Sequence, residues 1–518
     1  MNLIKQKINW LAIVGQLGLL LHVPAGMATT TLIIALIFEE WFALVPFGTV
    51  AAFSLALGQL LYRLGKRSKA SHLWDAMIIA GLGWLTCSLI AAIPFCWISH
   101  LQLQSGVESK VLEVFRNPSN AIFESISGFT STGLTMMQSA GHLSHVLQWW
   151  RSLLEWTGGL GLVVFVLALI HLNKEGFQLY YAEARSEKMT KNITGTAHWI
   201  WGIYSIFTGI AFLLFFIAGM PLWDSVNHAM TVISTGGFTI THTNFQGYDL
   251  PIQVIAMFMM LVGAISFAVH FRFIREKEYG ILWKSWQHRL LYIFAIGGGL
   301  LILLLNWWNG LSEHKVDAFF EWISALTTCG YSSMRLSVLS PMVKLFLIMG
   351  MFVGGTTGST AGGLKIRRLI YLVSGIVLRI LAITSKNEKH ITGEFKENTS
   401  PPNQEPPGIV LPHTQTSERL FTAGVLFSLW TSTLFLGWFL ILKWVPKGSG
   451  LDALFEVTSA MSNVGLSSGI IHPDLPTVGK WIFMALMWMG RLEIIPALIL
   501  LLTLPMIFTR SSKNGNQS

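Results

Sequence analysis

Four stretches of this chain read as variations on one another: NAIFESISGFTSTG at 120–133, WDSVNHAMTVISTG at 223–236, DAFFEWISALTTCG at 317–330 and DALFEVTSAMSNVG at 452–465. Counting back from the closing glycines, the ninth position holds Glu124, Asn227, Glu321 and Glu456. The sixth holds Ser127, Met230, Ser324 and Ser459. The thirteenth is Asn120, Asp317 and Asp452 in three copies, while Asp224 stands one place late in the remaining one. A lone Ser-Thr-Gly says almost nothing; four copies matching at several positions are an internal repeat.

What flanks the repeat decides its setting. Stretches free of Asp, Glu, Lys and Arg cover 8–38, 41–62, 76–107, 156–173, 192–223, 250–271, 290–312, 345–364, 420–442 and 494–509. Crossing a bilayer takes about 20 apolar residues, and lipid forces backbone groups to pair internally, which favours helices. Of the 518 residues, 52% are hydrophobic and 12% charged, against about 25% charged in soluble domains. The three cysteines form no pairing framework. These numbers exclude a cytosolic enzyme and a disulfide scaffold. The first apolar run is too long for a signal-peptide core and is read as a helix.

The chain therefore reads as an all-α polytopic membrane protein of about ten transmembrane helices. Residues 1–72 form an N-terminal helix pair. Four pseudo-fourfold helix–pore-loop–helix repeats follow: 73–174 with pore loop 118–140, 192–275 with pore loop 222–242, 285–384 with pore loop 315–337, and 417–510 with pore loop 450–470. Residues 385–416, with Pro401-Pro402 and Pro406-Pro407, read as a flexible cytoplasmic linker. Basic residues gather after the second helix (Arg63, Lys66, Arg67, Lys69), in 272–289 and after residue 364. That bias places those loops, and both termini, in the cytoplasm. It also accounts for the net charge of +9 without nucleic acid.

Each repeat predicts an Asn or Asp N-cap, about three helical turns, and then an extended small-residue segment. The negative C-terminal end of such a helix favours a cation. A glycine permits angles that let carbonyls face one axis, and carbonyl rings can replace an alkali ion's water. Glu124, Glu321 and Glu456 read chiefly as capping and dipole compensation, with a cation-attracting outer vestibule as a secondary role. In 345–364, Gly350, Gly354, Gly355, Gly358, Gly362 and Gly363 predict a broken helix whose loop gates the path. Arg491 reads as lying well inside the last helix, with apolar residues on both sides. It is expected to project below the filter and repel cations. His228 and His270 read as structural. No HExxH, CxxC or Gly-Lys-Ser/Thr pattern marks an enzyme.

These features resemble the Trk/Ktr/HKT superfamily of potassium transporters, most closely its TrkH/TrkG branch. The stretches that carry the likeness include WTGGLG (156–161), GFQLYYAEA (176–184), STGGF (234–238), GGTTGSTAGGLKIRR (354–368) and GRLEIIP (490–496). The resemblance implies potassium uptake through a filter at Ser131-Thr132-Gly133, Ser234-Thr235-Gly236, Thr328-Cys329-Gly330 and Asn463-Val464-Gly465. Thr132 and Thr235 hydroxyls are expected to assist the carbonyls. It further implies a homodimer in a bacterial inner membrane, gated by a cytosolic TrkA-like nucleotide-binding ring. Potassium is then the substrate, and no cofactor is expected on this chain. Ala361 stands where TrkH-like chains often have glycine, and Cys329 replaces a more inert residue. A serine at the first filter site accompanies sodium transport in the plant branch, so Gly133 favours potassium. A sodium- or proton-coupled cation symporter is the alternative; it calls for inverted repeats, whereas these four run in one direction.

Overall fold

The computed structural model describes residues 8–66, 68, 72–137, 139–169, 179, 182, 189–190, 192–308, 315–384, 413–446 and 448–503. Most of the 385–416 linker, most of the 176–184 stretch and both termini lie outside the described residues. Among the described residues the secondary structure is all helical. Among the described residues six helices are long and apolar enough to cross a membrane: Trp10–Ile37, Trp41–Gly65, Leu73–Gln104, Ile193–Ile217, Trp286–Trp308 and Glu418–Ile441. The last four open the repeats. Their outward faces carry exposed apolar side chains such as Leu213, Ile217, Leu304 and Phe439, as a lipid-facing surface requires.

The four short segments form the expected pore helices: Pro118–Phe129, Leu222–Ile233, Lys315–Thr327 and Gly450–Met461. Their starts differ from the sequence reading. Asn117, Pro221 and Ser449 occupy the cap positions of the first, second and fourth. Asn120, Asp224 and Asp452 therefore lie inside the helices, one turn in, free to serve another purpose.

The closing helix of every repeat is interrupted, where the sequence predicted a break only in the third. His145–Leu160 gives way to Leu162–Leu169 at Gly161. Leu250–Gly263 turns by 96° into Phe267–Arg275, and Thr477–Arg491 by 119° into Ile495–Thr503. Pro341–Val353 leads through 354–365 into Ile366–Thr384. A glycine stands at the same place in each, fourteen residues past the caps Ser144, Asp249, Ser340 and Pro476: Gly158, Gly263, Gly354 and Gly490. A methyl on Gly158 would strike Phe129 O, one on Gly490 would strike Met461 O, and one on Gly263 would lie 3.1 Å from Ile233 O. Each of those carbonyls ends a pore helix. The glycine lets the closing helix press on that turn, and the chain then departs sideways.

This break relocates Arg491. It is the last residue of its helix, ahead of Glu493 and Ile494, whose φ values are +55° and +71°. The first closing helix also begins earlier than 156, because its sequence includes Arg151 and Glu155, both fully buried.

The N-terminal pair is held by backbone proximity. A side chain on Gly15 would come within 2.8 Å of Gly65 Cα, and one on Gly18 would strike Gly58 O and Tyr62 N. Gly15→Leu is expected to lower the thermal midpoint of the detergent-solubilised protein, at a cost of about 1–3 kcal/mol from overpacking; a midpoint equal to the parent's would contradict the helix pairing.

Candidate functional site

The four pore helices end in one backbone device. Ser131, Thr235, Thr328 and Asn463 all take positive φ, between +49° and +55°. The next N–H in each copy reaches back five residues: Thr132 to Ser127 O at 2.9 Å, Gly236 to Thr231 O at 3.0 Å, Cys329 to Ser324 O at 3.0 Å, and Val464 to Ser459 O at 2.9 Å. Gly133, Gly237, Gly330 and Gly465 follow, with φ from +81° to +99°.

The sequence register of the second copy is therefore corrected by one residue. The segment equivalent to Ser131-Thr132-Gly133 is Thr235-Gly236-Gly237, and Ser234 is the helix C-cap. With this shift Asp224 falls in line with Asn120, Asp317 and Asp452; His228 and Thr231 replace Asn227 and Met230 at the other repeat positions. The late Asp224 was the signal, and the double glycine in STGGF concealed it.

The strands close into a ring. A methyl on Gly133 would strike Gly236 O, one on Gly237 would strike Cys329 O, one on Gly330 would strike Val464 O, and one on Gly465 would strike Thr132 O. Each glycine thus abuts the carbonyl preceding the glycine of the next repeat, in the order one, two, three, four, one. No side chain larger than hydrogen fits at any of the four.

Behind the ring, side chains hold the strands by their N–H groups. Glu124 accepts from Met136 N at 3.1 Å and Thr135 Oγ1 at 2.9 Å; Glu321 accepts from Ser333 N at 2.7 Å; Glu456 accepts from Ser468 N at 2.8 Å and Gly469 N at 3.1 Å. All three glutamates are at most 1% exposed. They are staples across the pore loop, in place of the capping or vestibule roles read from the sequence. In the second copy, where His228 stands, Glu155 of the first closing helix accepts from Phe238 N at 3.0 and 3.1 Å. Ser324 and Ser459 accept from Gly330 N and Gly465 N, each at 3.1 Å.

Polar contacts between repeats tie the outer rim. Lys344 Nζ donates to Asp452 at 2.7 Å and Lys480 Nζ to Asn120 Oδ1 at 2.6 Å. Arg151 donates to Glu124 at 2.8 Å and to Thr239 O at 2.8 Å, with its guanidinium 3.9 Å from the Phe238 ring centre. Thr132 Oγ1 lies 2.7 Å from Thr130 Oγ1 and accepts from Asn463 Nδ2 at 2.9 Å. Thr235 Oγ1 donates to Ser234 O at 2.8 Å. Both threonine hydroxyls are thus engaged within the protein.

The loop 354–365 crosses under three repeats. Thr356 donates to Ala264 O at 2.8 Å and Thr360 to Gly263 O at 2.9 Å. Gly362 N donates to Thr328 Oγ1 at 2.6 Å and Gly363 N to Ser462 O at 3.1 Å. Gly354, Gly358 and Gly363 take positive φ, while Gly355 and Gly362 are too crowded for a side chain, facing Ala361 Cβ and Ser462 O respectively. Beneath Asn463 lies a cavity of about 60 Å³, lined by Gly358, Gly362, Lys365, Arg491 and Glu493 among others. Arg491 donates to Gly158 O, to Gly159 O at 3.1 Å and to Thr360 O at 3.5 Å. It thereby spans the first repeat and the loop of the third. Glu493 pairs with Arg368 instead.

This fold and ring define a membrane protein built of four pore-loop repeats around one axis. Residues 47–309 and 311–509 match the TrkH family, described as a cation transport protein; the chain belongs to that family. It is 31% identical over 516 residues to the Trk system potassium uptake protein TrkI of Halomonas elongata, covering 95% of this chain and 96% of that one. It is 26% identical over 515 residues to the Trk system potassium uptake protein TrkH of Escherichia coli K12, covering 95% and 98%. Its fold is similar to the crystal structure of the potassium transporter TrkH from Vibrio parahaemolyticus, with a TM-score of 0.76 at 24% identity over 95% of this chain and 99% of that one.

Glu124→Ala would leave Arg151 buried beside an empty space, and stranding a buried charge costs about 3–5 kcal/mol. The variant is expected to lose most of its monodisperse, folded yield on size exclusion; parental yield and melting behaviour would show that the pair does not support the pore loop.

Proposed function

We propose that this chain takes up potassium across the membrane, passing the ion through the ring made by residues 131–133, 235–237, 328–330 and 463–465. The observation that carries the reading is the cyclic closure of the four glycine–carbonyl contacts. Within the ring the N–H groups of Thr132, Gly236, Cys329 and Val464 turn back onto pore-helix carbonyls, and those of Gly330 and Gly465 onto Ser324 and Ser459, while carbonyl oxygens stand at the contacts between repeats, where they would replace water around an alkali ion. The negative ends of four pore helices reinforce that preference. Names of the relatives favour potassium among the alkali ions. All four repeats turn in the same sense about the axis, which favours this reading over a coupled symporter built of inverted repeats.

The gate is the loop 354–365 together with Arg491. A fixed guanidinium in the cavity under the ring repels a passing cation, and the low local dielectric magnifies the repulsion. Opening requires Arg491 to leave Gly158 and Gly159 or the loop to shift. Helix Ile366–Thr384 continues directly from the loop, so a cytosolic TrkA-like ring acting on a homodimer in a bacterial inner membrane has a short mechanical route to the gate.

Proteoliposome uptake of potassium, rubidium, sodium and lithium tests the reading; potassium and rubidium are expected to exceed sodium and lithium, and uptake without such discrimination refutes it. Gly133→Ser should weaken potassium-over-sodium discrimination, because the added atoms meet Gly236 O. Discrimination equal to the parent's would displace the ring from the ion path. Arg491→Ala should raise rubidium flux through the purified chain, and a rate indistinguishable from the parent's discards the barrier.

A further inference from the structure

The residue after the ring glycine is Leu134, Phe238, Tyr331 and Leu466 in the four repeats. Tyr331 alone of these carries a hydroxyl, and it is fully buried. A phenol in that position needs a hydrogen-bond partner, and its partners belong to the preceding repeat. Tyr331 Oη is hydrogen-bonded to Thr231 Oγ1, where either hydroxyl can donate, and it donates to His228 O at 3.3 Å. Thr231 Oγ1 donates onward to Asn227 O at 3.2 Å. These residues lie on the pore helix Leu222–Ile233. Thr231 holds the repeat position from which Ser324 and Ser459 accept the ring glycine's N–H of their own segment; in the second repeat that hydroxyl reaches the neighbouring repeat.

The hydroxyl contact belongs to a seam. Phe245 N donates to Ser332 O at 3.0 Å, Ser332 N donates to Asn244 Oδ1 at 3.2 Å, and the Phe245 ring centre lies 4.3 Å from that of Tyr331. The second repeat therefore grips the third immediately past Gly330, at the point where the ring passes from one repeat to the next.

We propose that Tyr331 is a positioning residue for ion discrimination: its hydroxyl, held by Thr231 and His228 O, limits how far segment 328–330 can move towards the axis. The proposal rests on the reading that ions pass through this ring. The phenol is rigid beyond two side-chain torsions, so fixing the hydroxyl at one end restrains the backbone at the other. Replacing the water of a smaller ion draws the ring oxygens inward. Here that movement would pull the hydroxyl off its buried partners and open space beside Phe245, and both are unfavourable. The tether thus opposes contraction of the ring onto sodium.

The test is uptake of rubidium and of sodium into proteoliposomes holding the full chain, with the thermal midpoint measured alongside. Tyr331→Phe keeps the ring and removes the hydroxyl. It should lower the rubidium-over-sodium preference roughly three- to tenfold, tenfold being the equivalent of about 1.4 kcal/mol, and by more than it changes the maximal rubidium rate. Thr231→Val should act in the same direction, and Thr231→Ser, which keeps a hydroxyl, should recover most of the preference that Thr231→Val loses. Because both changes break one contact, the double variant Tyr331→Phe with Thr231→Val should be little worse than either single one. A preference equal to the parent's in both single variants overturns the proposal. So do losses that add in the double variant, or losses that merely follow a lowered thermal midpoint. Uptake by the parent without discrimination removes the proposed function itself, whereas discrimination untouched by these substitutions removes only the part given to Tyr331.

Discussion

Lipid offers no hydrogen bonds, so every N–H of an extended strand held within a membrane protein must find a partner inside it. The four segments that follow the pore helices meet this requirement largely with helix carbonyls and side chains. Their donors turn outward, to the carbonyls of the preceding helical turn, to Ser324 and Ser459, and to the carboxylates of Glu124, Glu155, Glu321 and Glu456. The same segments bring the carbonyl oxygens of Thr132, Gly236, Cys329 and Val464 to the contacts between repeats.

Buried acids are costly unless their lone pairs are occupied. Glu456 meets the requirement at one oxygen only: Oε1 takes three backbone N–H groups and the hydroxyl of Ser467, the latter at 2.6 Å, whereas Oε2 has no partner among the described residues. Glu124 meets it with Arg151. The four copies thus perform one task by different chemistry. The second copy departs furthest: His228 replaces the acid, and a neighbouring repeat supplies Glu155. Exact fourfold symmetry is lost in the side chains while the backbone keeps it.

The closing helices show how a common break acquires separate uses. In three repeats the glycine presses on its own pore helix, at Phe129, Ile233 and Met461. In the third, Gly354 packs against Gly362 and Gly363 of the loop that follows. That loop bonds to the second, third and fourth repeats, and Arg491 connects it to the first. Any shift of the loop must therefore be negotiated with all four repeats, which ties the loop to the ring.

The repeats, the apolar spans, the pore helices and the loop glycines were legible because they depend on local composition and periodicity. The register of the second copy was nearly so: Asp224 pointed to it, but two adjacent glycines look alike until backbone angles separate them. Arg151 and Glu155 were missed because a search for charge-free runs discards any helix that carries charge, and such charges are tolerable only once Glu124 and Phe238 N stand opposite. The position of Arg491 at a helix end was hidden for the same reason, since the break is set by the fit of Gly490 against Met461. The chain by itself determined that four like segments would enter a membrane. Only the tertiary structure decided which residue of each faces its neighbour, because a ring closed by glycine against carbonyl is a contact between segments some hundred residues apart.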